Sequence, residues 1–315
     1  MTAIKTRNTF EPDWTTPPGA TLLEILESQM MTQRELAKRA NLSAKHINQI
    51  ILGASPITPE TAILLERIVG VSAKFWNTRE ADYQTRKAKI KAREQLLEDC
   101  AILKHPVVKD LIKRSEIEKK DDPAEQLEAL LSFFKVGSVK QLHEYWKMPY
   151  ETALRHSPSF QSDPTALAAW LRIGERQAES IECHKYDEQR FKESLYIIRK
   201  WTVDKPDTFT DEMVRLCAES GVALVFVKEM KNALLEGATK WLSPDKAMIA
   251  LNLRSKTNDT FWFTFFHEAA HILHDGKRQF IIDGTNRADN DSEKRADDFA
   301  RKHLVPEEQN QYLPC

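Results

Sequence analysis

Two histidines four residues apart inside an apolar run, His267-Glu268-Ala269-Ala270-His271, constrain this chain more than any other feature. On a helix, positions i and i+4 lie about one turn apart, so both imidazoles project from one face toward a common point. Phe261-Trp262-Phe263-Thr264-Phe265-Phe266 precedes the motif and Ile272-Leu273 follows it, so the helix is expected to be buried. Such a pair suits two ligands of a catalytic zinc ion, with Glu268 beside the open coordination position as general base. A site of this kind needs a third protein ligand.

A second helix offers one. Ser292 to Leu304 reads as amphipathic and is closed by Pro306. Ala296, Phe299, Ala300 and Leu304 recur at helical spacing, and Glu293 falls three residues before Ala296 on the same stripe. A carboxylate on an apolar, small-residue face needs a partner. Either a metal or the positive end of its own helix dipole would favour Glu293 there. One turn later, Asp297 is placed to receive the free ring N–H of a zinc-bound histidine. His274, three residues after His271, is an alternative ligand or a helix-end histidine; the dipole and Gly276 favour the second reading.

The H-E-x-x-H helix followed by E-x-x-A-D-x-F-A-x-x-x-L-x-P, with Glu293, Asp297 and Pro306 at its fixed points, resembles the ImmA/IrrE family of metallo-endopeptidases. The spacing Glu293-x-x-x-Asp297 is also similar to the wider gluzincin pattern of thermolysin-like enzymes. Upstream, residues 221–227 and 237–242 resemble the strands that lead into the motif helix in that family, and the likeness spans residues 165 to 306. It implies an α+β zincin-like fold, zinc held by His267, His271 and Glu293, and Glu268 activating water. The implied substrate is a protein, a transcriptional repressor or toxin-system partner. The metzincin pattern is absent, because Lys277 stands where its third histidine would be. An extended substrate is expected to add along the strand Met248 to Leu253. No oxyanion donor stands out, His303 and Tyr312 being the weak candidates. The chain ends at Cys315, soon after Leu304-Val305-Pro306, where that family commonly continues with further helices; part of the cleft wall is expected to be missing.

The N-terminal part carries a different grammar. Leu22, Leu23, Ile25 and Leu26 mark a first helix, Thr32 to Ala40 a second, and Ser43 to Leu52 a third stopped by Gly53. Ala37 is small where two helices must cross, and Asn41 stands where the turn needs a left-handed residue. Leu36, Leu42, Ile47 and Ile50 are expected to face inward. Thr58-Pro59 caps a further helix from Glu60 to Val69. This is helix-turn-helix grammar, with Ser43 to Leu52 as the recognition helix. Ser43, Lys45, His46, Asn48 and Gln49 face outward, offering amides for adenine edges and a cation for guanine or phosphate, and Gln33 joins them as a candidate DNA contact. The alternative is an ordinary helical bundle with a solvated polar face.

Pro18-Gly19, Gln33 to Ala37, Ile57 to Ala62 and Phe75-Trp76 resemble the HigA-type addiction-module antidotes, a branch of the lambda-repressor-like XRE regulators. The resemblance implies an all-α domain, usually a homodimer, that binds double-stranded operator DNA and sequesters a toxin. It also implies that Phe75-Trp76 is bulk for the core.

Composition sets the limits. The 315 residues suffice for two or three domains. A net charge of −1 excludes a uniformly basic nucleic-acid binder but allows a locally basic one. Cys100, Cys183, Cys217 and Cys315 form no C-x-x-C pair, which argues against a disulfide framework or a thiolate zinc site. The N-terminus lacks an apolar signal core and no run reaches membrane-spanning length, so the chain is expected to be cytoplasmic, with no membrane partner. The expected layout is an N-terminal tail (1–16), a helix-turn-helix domain (17–87), a helical connector (88–164) and a zincin-like metallopeptidase domain (165–315). Within the connector, Arg79 to Ser115 reads as a charge-rich helical stretch, with short helices at Glu125 to Phe134 and Gln141 to Trp146. The combined reading is a DNA-binding regulator with a zinc endopeptidase domain. The alternatives are an antidote and autorepressor whose zincin-like domain senses a partner, and a purely structural zinc site. An intact Glu268 counts against both, since neither needs a general base.

Overall fold

A computed structural model describes residues 15–156, 162–204, 206–252, 258–277, 280–282 and 291–304. The chain divides into two compact units, Met1–Cys100 and Ala101–Cys315. Among the described residues no helix is long and apolar enough to cross a membrane.

The first unit is helical: α1 (Pro18–Ser28), α2 (Gln33–Ala40), α3 (Ala44–Ile51), α4 (Pro59–Val69) and α5 (Ala73–Asp99). Side chains begin most of these helices. Thr32 and Glu35 form a reciprocal capping box on α2, while Ser43, Thr58 and Ser72 each accept the backbone N–H of the third residue of the helix they cap. Asn41 ends α2 at φ 54° and ψ 40°, the left-handed conformation that turns the chain into α3. Leu22, Leu26, Leu36, Ile47, Ile50 and Trp76 close the core, with Leu42 packed against it. α1 crosses α3 so closely that a Cβ on Gly19 would lie 2.0 Å from the Ile50 carbonyl oxygen, so only glycine fits. The aromatic pair is divided: Trp76 is fully buried, but Phe75 is 41% exposed. This corrects the expectation that both are core, since adjacent residues on a helix point about 100° apart.

The second unit begins with α6 (Pro106–Lys113), α7 (Pro123–Phe134), α8 (Val139–His156), α9 (Pro164–Ser180), α10 (Glu188–Lys200) and α11 (Phe209–Glu219). The charge-rich helix expected to reach Ser115 ends at Asp99, and Pro106 opens a new helix, where its fixed φ and missing N–H are tolerated. The short helix expected at Gln141 to Trp146 is part of the longer α8, and α11 was not anticipated.

The unit continues with β1 (Val222–Val227), β2 (Gly237–Ser243), β3 (Lys246–Asn252), α12 (Asn258–His274), β4 (Phe280–Ile282) and α13 (Asp291–Leu304). The strands form one sheet in the order β1-β3-β2-β4, with β3 parallel to β1 and antiparallel to β2. β3 is therefore central. Its backbone groups are engaged on both sides, which overturns the expectation that a substrate strand could add along Met248 to Leu253: among the described residues, 248–252, no edge is left to receive it.

Both faces of the sheet are covered, which is why β1 and β3 read as unbroken apolar runs. On one face Val222, Leu224, Ala247, Ile249 and Leu251 pack with α10, α11, α12 and α13 through Phe191, Met213, Trp262, Phe265 and Phe266. Burying each of those aromatics contributes about 1.5–3 kcal/mol. On the other face α9 comes close: a Cβ on Gly174 would lie 3.3 Å from that of Ala250. Arg172 of α9 binds Glu175 at 2.8 Å and Glu179 at 2.9 Å, and Lys240 of β2 reaches Glu175 at 2.5 Å. Arg172 also donates to the Phe133 carbonyl oxygen at 2.7 Å.

Candidate functional site

The aromatic run seats α12 against the sheet and so buries the face that carries the motif; His267, Glu268 and His271 are all buried. α13 packs alongside with Glu293, Ala296, Asp297 and Ala300 turned inward. Two small alanines let it approach. The result is that His267, His271 and Glu293 each present one ligand atom, all within 4.8 Å of one another.

The spacings can be tested against a metal. Nε2 of His267 and Nε2 of His271 are 3.0 Å apart; Glu293 places Oε2 3.2 Å from the first and Oε1 3.6 Å from the second. A tetrahedral zinc ion about 2.0–2.1 Å from each ligand sets its ligand atoms about 3.3–3.4 Å apart. The three fit.

Protonation adds an independent argument. Asp297 Oδ1 lies 3.0 Å from His267 Nδ1, and Asp275 Oδ2 lies 2.5 Å from His271 Nδ1. The hydrogen bond to Asp275 favours the ring proton of His271 at Nδ1 and its lone pair at Nε2, while Asp297 stands close beside His267 Nδ1. The cluster turns two imidazole nitrogens and a carboxylate toward one point, an arrangement suited to a cation.

Asp275 was missed by the sequence reading, although it follows His271 by the same four residues that separate the two histidines. Its carboxylate also accepts hydrogen bonds from Ser292 Oγ at 2.6 Å and Arg295 Nη2 at 3.1 Å. Burial works to raise its pKa; the hydrogen bonds from His271, Ser292 and Arg295 outweigh burial and hold it below the usual carboxylate range. Asp275 thus stays ionised while it ties the end of α12 to the start of α13.

Glu268 points from α12 toward β2. Its Oε2 accepts from the Thr239 hydroxyl at 2.5 Å. His274 ends α12, exposed, with its ring edge-on to Phe299 at 5.7 Å, and is not one of the three converging residues. His303 lies stacked on Phe299 and Phe266, its Nδ1 3.0 Å from the Phe299 carbonyl, and burial depresses its pKa. Tyr312 lies outside the described residues.

In the N-terminal unit α3 displays Lys45 and Asn48 exposed and His46 and Gln49 partly so; Gln33 opens α2, partly exposed. Ser43 is exposed but its oxygen caps α3, accepting the His46 N–H at 3.1 Å. Ser43 therefore has a local structural role whatever else it meets.

Comparison with known proteins agrees for this unit. Residues 22–76 match the family model described as helix-turn-helix, so the N-terminal unit contains a helix-turn-helix domain of the kind found in DNA-binding regulators. A solved addiction module antidote protein of a HigA family from Coxiella burnetii is 26% identical, covering 27% of this chain and 95% of that chain with a TM-score of 0.24. No curated protein matches.

Proposed function

We propose that the chain is a DNA-binding regulator whose C-terminal unit is a zinc-dependent endopeptidase of zincin type, cutting a repressor or toxin-system partner protein. The observation that carries the enzymatic half is the convergence of His267, His271 and Glu293, each histidine backed by an aspartate, with Glu268 next in chain and buried beside them. His267, His271 and Glu293 would hold the metal. Zinc, when bound, supplies Lewis acidity toward a peptide carbonyl and lowers the pKa of water. Glu268 accepts a proton from the attacking water and returns it to the departing amine. Asp297 and Asp275 keep the two imidazoles in one tautomer and orientation.

The regulatory half rests on the helix-turn-helix match and on α3. Lys45, Asn48 and Gln49 face outward from it, suited to the major groove of double-stranded operator DNA.

One experiment tests both halves. Glu268→Gln keeps the size of the side chain but cannot accept the proton. It is expected to retain zinc and salt-sensitive binding to its own promoter, to lose cleavage, and to trap the uncleaved partner in a pull-down. Equal derepression of that promoter by wild type and variant would reduce the domain to a sensor. A Lys45→Ala, Asn48→Ala, Gln49→Ala chain is expected to lose selective promoter binding; undiminished binding would remove α3 from the interface.

A further inference from the structure

Strand β2 meets Glu268 at two alternate positions, and neither residue there is explained by the strand itself. Gly237 and Thr239 both face α12, since side chains two apart on a strand share a face. Gly237 does not take the positive φ that would require glycine. What it provides is room: a Cβ there would lie 2.6 Å from Glu268 Oε1, 2.8 Å from Glu268 Cγ and 2.8 Å from Thr264 Cγ2. Thr239 is buried to 2% exposure. Its hydroxyl lies 2.5 Å from Glu268 Oε2 and 3.2 Å from the Glu268 carbonyl oxygen. A hydroxyl has one proton to give, and the shorter contact with the carboxylate is the one that fits a charge-assisted bond.

From these contacts we infer that Gly237 and Thr239 are positioning residues for Glu268: the glycine admits the carboxylate against the strand and the threonine hydroxyl holds its Oε2, so that the plane of the base is set before it works. The inference rests on the metallopeptidase reading above. Geometry explains why such a device is needed. Glu268 follows His267 by about 100° around the helix, so it leaves the ligand face and would swing among rotamers without a second anchor. The strand supplies that anchor from outside the helix. Holding one oxygen fixes the plane of the carboxylate, and a base aligned beforehand loses no orientational freedom when it works.

The test uses the full chain loaded with zinc and acetohydroxamate as probe. A hydroxamate binds zinc through both oxygens and shares its hydroxyl proton with a neighbouring carboxylate, so its affinity senses where Glu268 stands. Zinc content, read first by metal analysis, is expected to be equal in wild type, Thr239→Val, Thr239→Ser and Glu268→Gln. Thr239→Val removes the hydroxyl at constant shape and is expected to weaken the probe about tenfold or more, as expected for a lost hydrogen bond to a charged group. Thr239→Ser keeps the hydroxyl and is expected to bind within about threefold of wild type on the same grounds. Added to Glu268→Gln, Thr239→Val is expected to cost nothing further, because its effect passes through Glu268. Gly237→Ala is expected to lose at least as much as Thr239→Val, since its new methyl group must displace the carboxylate. Unchanged probe affinity in Thr239→Val overturns the inference, and so does an equal loss in the Glu268→Gln background, which would make Thr239 merely structural. A wild-type chain that takes up no zinc is seen before any probe is added; it removes the metallopeptidase reading itself, and the inference with it.

Discussion

Strand β2 sends two neighbouring side chains to opposite faces of the sheet, and each meets a buried glutamate on the helix covering that face. Lys240 meets Glu175 of α9; Thr239 meets Glu268 of α12. On the α9 side the charges are settled within the protein, for Glu175 lies between the Arg172 guanidinium and the Lys240 ammonium. On the α12 side His267 and His271 turn their Nε2 atoms toward Glu293, with further carboxylates behind them. The first cluster is paired internally; the second is a group that could hold a metal ion. Burial of polar groups is common to both and so does not mark a site. What marks it is that two imidazole nitrogens and a carboxylate converge on one point.

The largest expected effect breaks the second cluster. His267→Ala and Glu293→Ala are each expected to lose nearly all zinc on gel filtration. Zinc at a hundred times its Kd should stabilise wild type by about 2.7 kcal/mol and leave these variants unchanged. Full zinc content in both would erase the contrast between the two faces.

Next comes the internally paired cluster. Arg172→Ala leaves Glu175 to Lys240 and Glu179 to Lys135 and takes the donor from the buried Phe133 carbonyl; it is expected to lower stability in urea by about 1–3 kcal/mol, with zinc affinity of the folded fraction unchanged. A loss under about 1 kcal/mol would put the pairing on a par with an exposed ion pair.

A smaller effect sharpens the role of the flanking acids. Asp275→Asn and Asp297→Asn are each expected to weaken zinc by about ten- to a hundredfold by competition with a chelator. Either variant binding zinc as wild type does would leave that aspartate tying α12 to α13 and nothing more.

The smallest effect is a dependence on acid. The hydrogen bond from Arg172 lowers Glu179 from 4.5 to about 2, against burial and with help from Lys135. Its folded-state pKa is depressed, so the stabilisation is present above the ordinary value and is lost as pH falls toward about 2. Glu179 is 41% exposed, and screening by solvent limits the contribution to under about 1 kcal/mol. The gap in urea midpoint between wild type and Glu179→Gln should therefore shrink between about pH 5 and about pH 2.5.

What the sequence discloses follows from how local each cause is. The turn at Asn41 and the caps at Ser43 and Thr58 depend on neighbours in the chain, and they are legible there. The convergence of His267, His271 and Glu293 is half local: one helix period places the histidines, while the docking of α13 places the glutamate. Asp275 obeys the same helix period but lies at the end of α12, where it reads as the start of a loop. The partner of Lys240 leaves no mark in the sequence, because nothing nearby announces that Glu175 of α9 meets it. The central place of β3 is the least legible. It depends on a parallel partner, β1, separated from β3 by an intervening hairpin strand, and pairing order leaves no trace in apolar pattern.

The three candidate ligands also divide between two helices in a way that matters for the chain as a polymer. His271 ends one helix turn before Asp275, and Glu293 belongs to the first turn of α13, so an ion gripping both acts as a crosslink across the connection between them. Closing such a loop removes freedom from the unfolded chain, worth about 3 kcal/mol for a loop of this order in a disulfide. A chelator should accordingly speed hydrogen exchange in α13 before it does so in the sheet. The helix that completes the centre would be the first to let go of it.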